Sequence, residues 1–332
     1  MVGKWLRFLL WQPFAHSCRL FPLWPFRATV TQPVEHVRCI RIDNLLTRFL
    51  SRFGGGFDYA VCYLVDGTLL IDSGFPWARR QLKRTLIELG ADRTITKVIN
   101  THYHEDHIGN NDLLAELCHA EVLAHRDALR EIRFPSELRW YRSFLFGSSP
   151  IADVSPVGTS LATEHHRLDV IETPGHCAGH ICLFEPQHKW LFSGDLYVAA
   201  ELDSQLSDAD GPLWISSLET ALRLKPAWMF DGHGTVFEGE EQVARQLQRK
   251  LDFLRAIRNR VQQHSRQPQS IQQLTRTVFD RRDLVGWLAF GDSWLSLITG
   301  SDFSRANIVK SFLREAAPQE ELSLQGVRHS ST

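Results

Sequence analysis

The sequence predicts an α/β protein, and three observations carry that prediction. Apolar runs of strand length alternate with amphipathic helical stripes from about residue 36 to residue 240. Several of the strand runs end in a glycine-flanked Asp or His. The 332 residues, 43% hydrophobic and 23% charged, suffice for a sizeable core in one large domain or two smaller ones.

The first thirty-odd residues read differently from the rest. "MVGKWLRFLLWQPFAHSCRLFPLWPFRATV" carries Lys4, Arg7, Arg19 and Arg27, and the first acid is Glu35. Pro13, Pro22, Pro25 and Arg19 interrupt its apolar run, so no stretch reaches the roughly 18 apolar residues of a spanning helix. Residues 1–35 are expected to be a poorly structured extension. A secretory signal, or a basic, Trp-rich arm in weak contact with a membrane surface, are the alternative readings.

"YAVCYLVDGTLLIDSG" joins two apolar runs through Asp66-Gly67, a strong hairpin signal, and ends at Asp72-Ser73-Gly74. "WARRQLKRTLIELG" sets Leu82, Leu86 and Leu89 on one helical stripe, with Gly90 as the stop. "KVIN" reads as a buried strand running into "THYHEDHIGN"; "NDLLAELCHA" is a helix and "EVLAH" a strand. Residues 126–160 break the rhythm, mixing Arg with Trp140, Tyr141, Phe144 and Phe146 before a Ser-, Pro- and Gly-rich stretch. "HRLDVIETPG", "GHICLFEP" and "KWLFSGD" are three further strands, the last two a hairpin. "LWISSLETALRLK" is a helix and "PAWMFDGHG" a strand and turn. Beyond Gly239, Val243, Leu247, Leu251, Leu254, Ile257 and Val261 mark a long amphipathic helix. Ser270 and Ser304 can cap two more helices. The expected divisions are an extension (1–35), an α/β domain (36–240), a separate helical layer or subdomain (241–318) and a flexible tail (319–332).

A formal net charge of -1, with both signs interspersed, gives no global field to attract nucleic acid or an anionic membrane. Cys18, Cys39, Cys62, Cys118, Cys177 and Cys182 form no Cys-x-x-Cys pair and are too sparse for a disulfide scaffold. They read as reduced thiols of a cytoplasmic protein.

His102, His104, Asp106 and His107 fall within six positions. Such groups are costly to bury unless paired or bound, and imidazole and carboxylate are ligands that zinc and related ions accept. A solvated polar loop is the plainer alternative. His176, Asp195 and His233 each follow a predicted strand beside a glycine, where backbone can turn sharply. Singly they are ordinary turn residues. Jointly they gather at strand ends, where α/β sites form.

His102-x-His104-x-Asp106-His107, followed by His176, Asp195 and His233, resembles the metallo-β-lactamase fold superfamily over about residues 57 to 240. The resemblance implies a four-layer αββα sandwich with a metal site at one edge, here followed by a C-terminal helical extension. It implies two divalent ions, zinc by default with iron or manganese acceptable. His102, His104 and His176 would hold the first, Asp106, His107 and His233 the second, with Asp195 bridging. His102 and His104, two apart on an extended segment, project to the same side. Asp72 and His180 are expected behind the ligands, fixing them by hydrogen bonds.

"TPGHCAGH" and "LFSGDLY" resemble the glyoxalase II-like thioesterase group. The expected activity is hydrolysis of a small ester or thioester by a metal-bridging hydroxide, with Asp106 orienting it or carrying its proton. Asn110 stands where that group usually has a second Gly, and its glutathione-gripping basic residues have no counterpart in the tail. A lactonase, a phosphodiesterase or ribonuclease of the same fold, and a metal-binding regulatory protein with little turnover are the alternatives. The partner is expected to be a small-molecule ester or thioester, with nucleic acid the partner only under the ribonuclease alternative. Trp140, Tyr141 and Phe144 offer apolar surface for a substrate, and Tyr197 is a candidate oxyanion donor.

Overall fold

The computed structural model describes residues 26–44, 48, 60–266, 269–280, 292–293, 296–297 and 299–316. They divide into two compact units, Met1–Arg167 with Gly232–Gly234, and Leu168–Asp231 with Thr235–Thr332.

The first unit is built on a sheet of order β1-β2-β3-β4-β5-β6-β7. Its first four strands form an antiparallel meander: β1 (Arg27–Val34), β2 (Val37–Asp43), β3 (Ala60–Val65) and β4 (Leu69–Ile71). Asp66 and Gly67 both take positive φ between β3 and β4, as a tight primed turn requires, and Thr68 N–H closes it onto Val65 O at 3.1 Å. The pairing then becomes parallel through β5 (Lys97–Ile99), β6 (Glu121–Ala124) and β7 (Ser155–Pro156). Parallel neighbours need crossovers, and each of the three carries helix. Helix α1 (Arg79–Glu88) links β4 to β5 and buries Leu82 and Leu86 against Leu70 and Val98. Between β5 and β6 lie α2 (Glu105–Ile108) and α3 (Asn111–Cys118). Helices α4 (Leu129–Arg133) and α5 (Trp140–Phe146) occupy the arginine-rich aromatic stretch, and short β8 (Ser160–Ala162) follows β7.

Strand β1 corrects the expected boundary, because it lies inside the presumed extension of residues 1–35. Its side chains are mostly exposed, so it lacks the buried alternation that marks a strand in sequence. Residues 1–25, with the signal and membrane-arm readings, lie outside the described residues. No helix among the described residues is long and apolar enough to cross a membrane.

In the second unit the strands run in the order β13-β12-β11-β10-β9. β10 (Ile181–Glu185) and β11 (Trp190–Gly194) form the antiparallel hairpin, and β9 (Arg167–Glu172) pairs with β10. Helix α6 (Gly211–Arg223) is the crossover to β12 (Trp228–Asp231), which lies parallel to β11, and β13 (Val236–Glu238) completes the order. The tail helices are α7 (Glu240–His264), α8 (Ile271–Phe279) and α9 (Arg305–Ala316). Ser270 and Gln273 cap α8 reciprocally, and Ser304 Oγ accepts from Asn307 N–H at the start of α9.

Of the two readings of the tail, these helices fit a layer on the second unit and not a subdomain with a core of its own. Leu247 and Leu251 of α7 and Ile308 and Phe312 of α9 share one core with Leu191, Trp214 and Met229. Each such side chain, fully buried, contributes about 1.5–3 kcal/mol. A heptad-like stripe in sequence says that a helix buries one face, not what it buries it against.

Candidate metal centre

In the first unit, β4 and β5 end side by side and deliver Asp72 and Thr101-His102 to neighbouring positions. Asp72 sits at φ 59° with its N–H on Ile99 O at 2.9 Å. Its carboxylate accepts Thr101 N–H at 2.7 Å and Thr101 Oγ1–H at 2.9 Å, and Oδ2 lies 2.8 Å from His107 Nδ1. That pairing puts the His107 proton on Nδ1 and makes Nε2 the lone-pair nitrogen.

After His104 the chain makes the single turn of α2 and folds back tightly. Gly109 N–H donates to Gly74 O at 2.8 Å, and a Cβ on Gly109 would lie only 2.4 Å from Pro76 N. Only glycine fits there. Next to it, Asn110 is buried and donates its amide to Ser73 O at 2.7 Å and Phe75 O at 3.0 Å. This accounts for its presence where the thioesterase-like motif has glycine. Asn100 and Asn111 exchange amide hydrogen bonds of 3.2 and 2.8 Å, and Asn100 also donates to His107 O. The sequence singles out Asn110 only as a departure from glycine and gives no sign of Asn100 or Asn111, because Asn beside a turn reads as turn chemistry.

The imidazoles of this unit crowd together. The His102 ring is 4.7 Å from that of His104 and 4.1 Å from that of His107. His233, carried on the Gly232–Gly234 segment, has its ring 5.8 Å from that of His107. One ligand atom from each of Asp106, His107 and His233 lies within 4.8 Å of the others, and Asp106 Oδ2 is 3.8 Å from His107 Nε2. Two imidazole nitrogens and a carboxylate oxygen suit a divalent transition ion. Bonds of about 2.0–2.1 Å require donors about 3.3 Å apart in a tetrahedral site, a small inward movement from here.

In the second unit, "TPGHCAGH" is the turn between β9 and β10. Gly175 takes φ 139°, and a Cβ there would meet Trp214 Cα at 2.3 Å, so no other residue fits. His176 Nε2 lies 3.6 Å from Asp195 Oδ2, with the Trp214 ring edge-on at 5.5 Å. His180 stands behind Asp195 and grips its backbone, not a ligand side chain. Its Nε2 accepts Asp195 N–H at 3.0 Å, while Nδ1 pairs with Thr173 Oγ1 at 3.0 Å. Accepting at Nε2 leaves the proton on Nδ1.

The candidate substrate residues fare differently from one another. Trp140 and Phe144 are exposed on α5, whereas Tyr141 is buried. Tyr197 donates its hydroxyl to Gln246 Oε1 at 2.9 Å and packs edge-on against Phe237, so its hydroxyl is engaged by helix α7. Burial raises its pKa further, with Asp231 adding to the effect.

Two charged residues escaped sequence reading. Arg142 of α5 makes a bidentate pair with Glu105, at 2.6 Å from Nε and 2.5 Å from Nη2. It thereby ties the aromatic helix to the residue preceding Asp106. Burial works against the guanidinium charge, but Glu105 outweighs it and raises the Arg142 pKa. Lys250 is fully buried in α7, its Nζ 4.8 Å over the Trp214 ring and 3.4 Å from Leu202 O. Burial lowers its pKa to about 7 against the attraction of Asp203 and Asp195. Its place between Leu247 and Leu251 on the buried stripe was the available signal.

Residues 55–233, more than half of the chain, match the family model described as the metallo-beta-lactamase superfamily. The chain belongs to that superfamily. Among curated proteins it is similar to a hydroxyacylglutathione hydrolase of Nitrosococcus oceani, 29% identical over 159 residues, covering 48% of this chain and 53% of that protein. It is also similar to metallo-beta-lactamase domain-containing protein 1 of Xenopus laevis, 33% identical over 150 residues, covering 44% and 55%. The chain thus spans about half the length of these curated relatives. Among solved structures it resembles a metallo-beta-lactamase family protein of Thermus thermophilus, with TM-score 0.57 and 19% identity over 90% of this chain and 95% of that one. A Beta-lactamase domain protein of Burkholderia ambifaria gives TM-score 0.57 and 18% identity over 86% and 88%. At such identities the likeness is one of fold: two sheets with flanking helices, of metallo-β-lactamase class, and a C-terminal helical extension.

Proposed function

We propose that this protein is a dinuclear metal-dependent hydrolase of small esters or thioesters. The observation that carries the reading is the convergence of Asp106, His107 and His233, with Asp72 fixing the His107 tautomer, in a chain of this superfamily. Asp106, His107 and His233 would hold one divalent ion; His102, His104 and His176 would hold the other, with Asp195 shared. Zinc is the default occupant, and the same donors accept iron or manganese. Bound divalent ions lower the pKa of water toward neutrality and polarise a carbonyl.

The chain's own residues supply the rest. Asp106 lies close enough to the ligand nitrogen of His107 to orient water or carry its proton. His180 holds the backbone of Asp195, and Arg142, through Glu105, steadies the turn that carries Asp106. Trp140 and Phe144 offer apolar surface beside that turn for an acyl group. The relatives named hydroxyacylglutathione hydrolase support a thioester of small-molecule size. Sparse cysteines with no Cys-x-x-Cys pair support a cytoplasmic setting.

Acyl thioesters, simple esters, lactones and phosphodiesters offered to the purified full chain test the reading. Turnover of thioesters or esters, lost on chelation, is expected. Cleavage of phosphodiesters alone would replace the reading with a nuclease. No turnover from fully metallated protein would favour a regulatory metal-binding role.

A further inference from the structure

Three tight turns of the first unit bring His36, Asp66, His165 and His166 to one end of its sheet. Glu35-His36 joins β1 to β2, Asp66-Gly67 joins β3 to β4, and residues 163–166 follow β8. Strand pairing sets the first two turns side by side, since Val37 pairs with both Val34 and Val65, and Asp66 N–H donates to His36 O at 2.9 Å. His36 and Asp66 both hold positive φ, 66° and 50°, which is uncommon for side chains of this kind outside tight turns. The third turn closes through Thr163 N–H on His166 O at 2.8 Å.

The Asp66 side chain is wholly buried among these turns. Its Oδ2 takes Thr163 Oγ1–H at 2.5 Å, His166 Nδ1 at 2.8 Å and His165 N–H at 3.4 Å. Its Oδ1 is equally buried and accepts no hydrogen bond, although His36 Nδ1 stands only 3.1 Å away. Burial alone would raise the Asp66 pKa, but hydrogen bonds from Thr163 and His166 outweigh it and hold the pKa below the usual carboxylate value. A clamp made of hydrogen bonds alone would use both oxygens, because leaving a buried acceptor unsatisfied costs about 1–3 kcal/mol. The half-exposed His165 ring faces that of His36, with centroids 4.7 Å apart.

We propose that His36, Asp66 and His165 form a binding site for a zinc-type divalent ion, sharing no residue with the hydrolytic centre. One ligand atom from each lies within 4.8 Å of the others. The 3.1 Å between His36 Nδ1 and Asp66 Oδ1 is close to the edge of about 3.3 Å expected of a tetrahedron with 2.0 Å bonds. An ion there takes up the idle Oδ1, and its fourth position faces a cavity of about 360 Å³ that Glu35 and Arg38 also line. The Arg38 guanidinium disfavours an ion held by charge alone, and calcium would need six to eight oxygen ligands. Two imidazoles and one carboxylate select a transition ion instead. Bound there, it staples the turn after β8 to the two hairpin turns.

The test compares zinc bound by the full chain and by the H36G/H165A variant. Both are stripped with chelator and dialysed against the same micromolar free zinc before elemental analysis. Glycine suits the positive φ of residue 36, and residue 165 is half exposed, so the variant keeps the fold. The wild type should hold one equivalent more than the variant, and equal zinc in the two would overturn the proposal. Where circular dichroism shows the double variant unfolded, His165→Ala alone decides. Calorimetric titration should then show one class of zinc site weakened at least tenfold, and an unchanged titration would overturn it.

Discussion

The Asp72 carboxylate lies 2.8 Å from Nδ1 of His107 while its two oxygens also take the N–H and hydroxyl of Thr101. One buried anion therefore sets both the ring orientation of a proposed ligand and the path of the chain leading to it. Asp72→Asn keeps a residue that tolerates φ 59° but removes the charge that holds the His107 proton on Nδ1. Zinc affinity should fall about 10–100-fold, measured by competition with a chromophoric chelator. Unchanged affinity would show that Asp72 shapes only the backbone.

Arg142 and Glu105 form a bidentate pair in which both side chains are largely buried. Removing one partner leaves the other's charge uncompensated, a loss of about 3–5 kcal/mol for a well-buried pair. Arg142→Ala should approach the lower end of that range in urea unfolding. Adding Glu105→Gln should recover part of the loss. A double variant as destabilised as the sum of the two singles would show that the pair has no mutual coupling.

Lys250 titrates near pH 7 in the native state and near 10.4 when unfolded. Between those values the unfolded chain binds more protons, so this residue makes stability rise with pH across that window. Below about pH 7 the full cost of burying the ammonium is present. Lys250→Met should therefore stabilise the protein most at low pH, with the advantage shrinking by roughly 4–5 kcal/mol as pH rises past 10. Chemical denaturation of both proteins from pH 6 to 10 checks the sign. An advantage that grows with pH would contradict it.

Deleting residues 1–25 should leave metal content and specific activity unchanged, since the proposed ligands of both sites lie from His36 to His233. Deleting through Val34 removes β1, uncovers β2 and should lower the melting midpoint. If the shorter deletion also abolishes activity in a folded, metallated protein, the N-terminal segment serves the substrate site.

The elements that sequence reading found are those whose own residues carry the signal. Asp66-Gly67 gave the β3–β4 turn because its chemistry is local, and Leu82 and Leu86 gave α1 because one face is buried. Strand β1 was lost because an exposed edge strand has no buried alternation. The proposed ligands were legible because imidazole and carboxylate at strand ends are chemically conspicuous. Arg142, Asn110 and Lys250 were not, since what each does is set by partners distant in the chain: Glu105, Ser73 and Trp214. The merging of the tail helices with the strands of the second unit was invisible for the same reason.

Hydrolysis of an acyl thioester by the chelator-stripped and the re-metallated protein, run beside Asp106→Asn, tests the central claim most directly. The stripped protein should be inactive and regain turnover as zinc is returned. Asp106→Asn, loaded with metal, should lose about 10²–10⁴ in turnover. Turnover that survives complete stripping, or an Asp106→Asn variant that works as well as the wild type, would contradict the account.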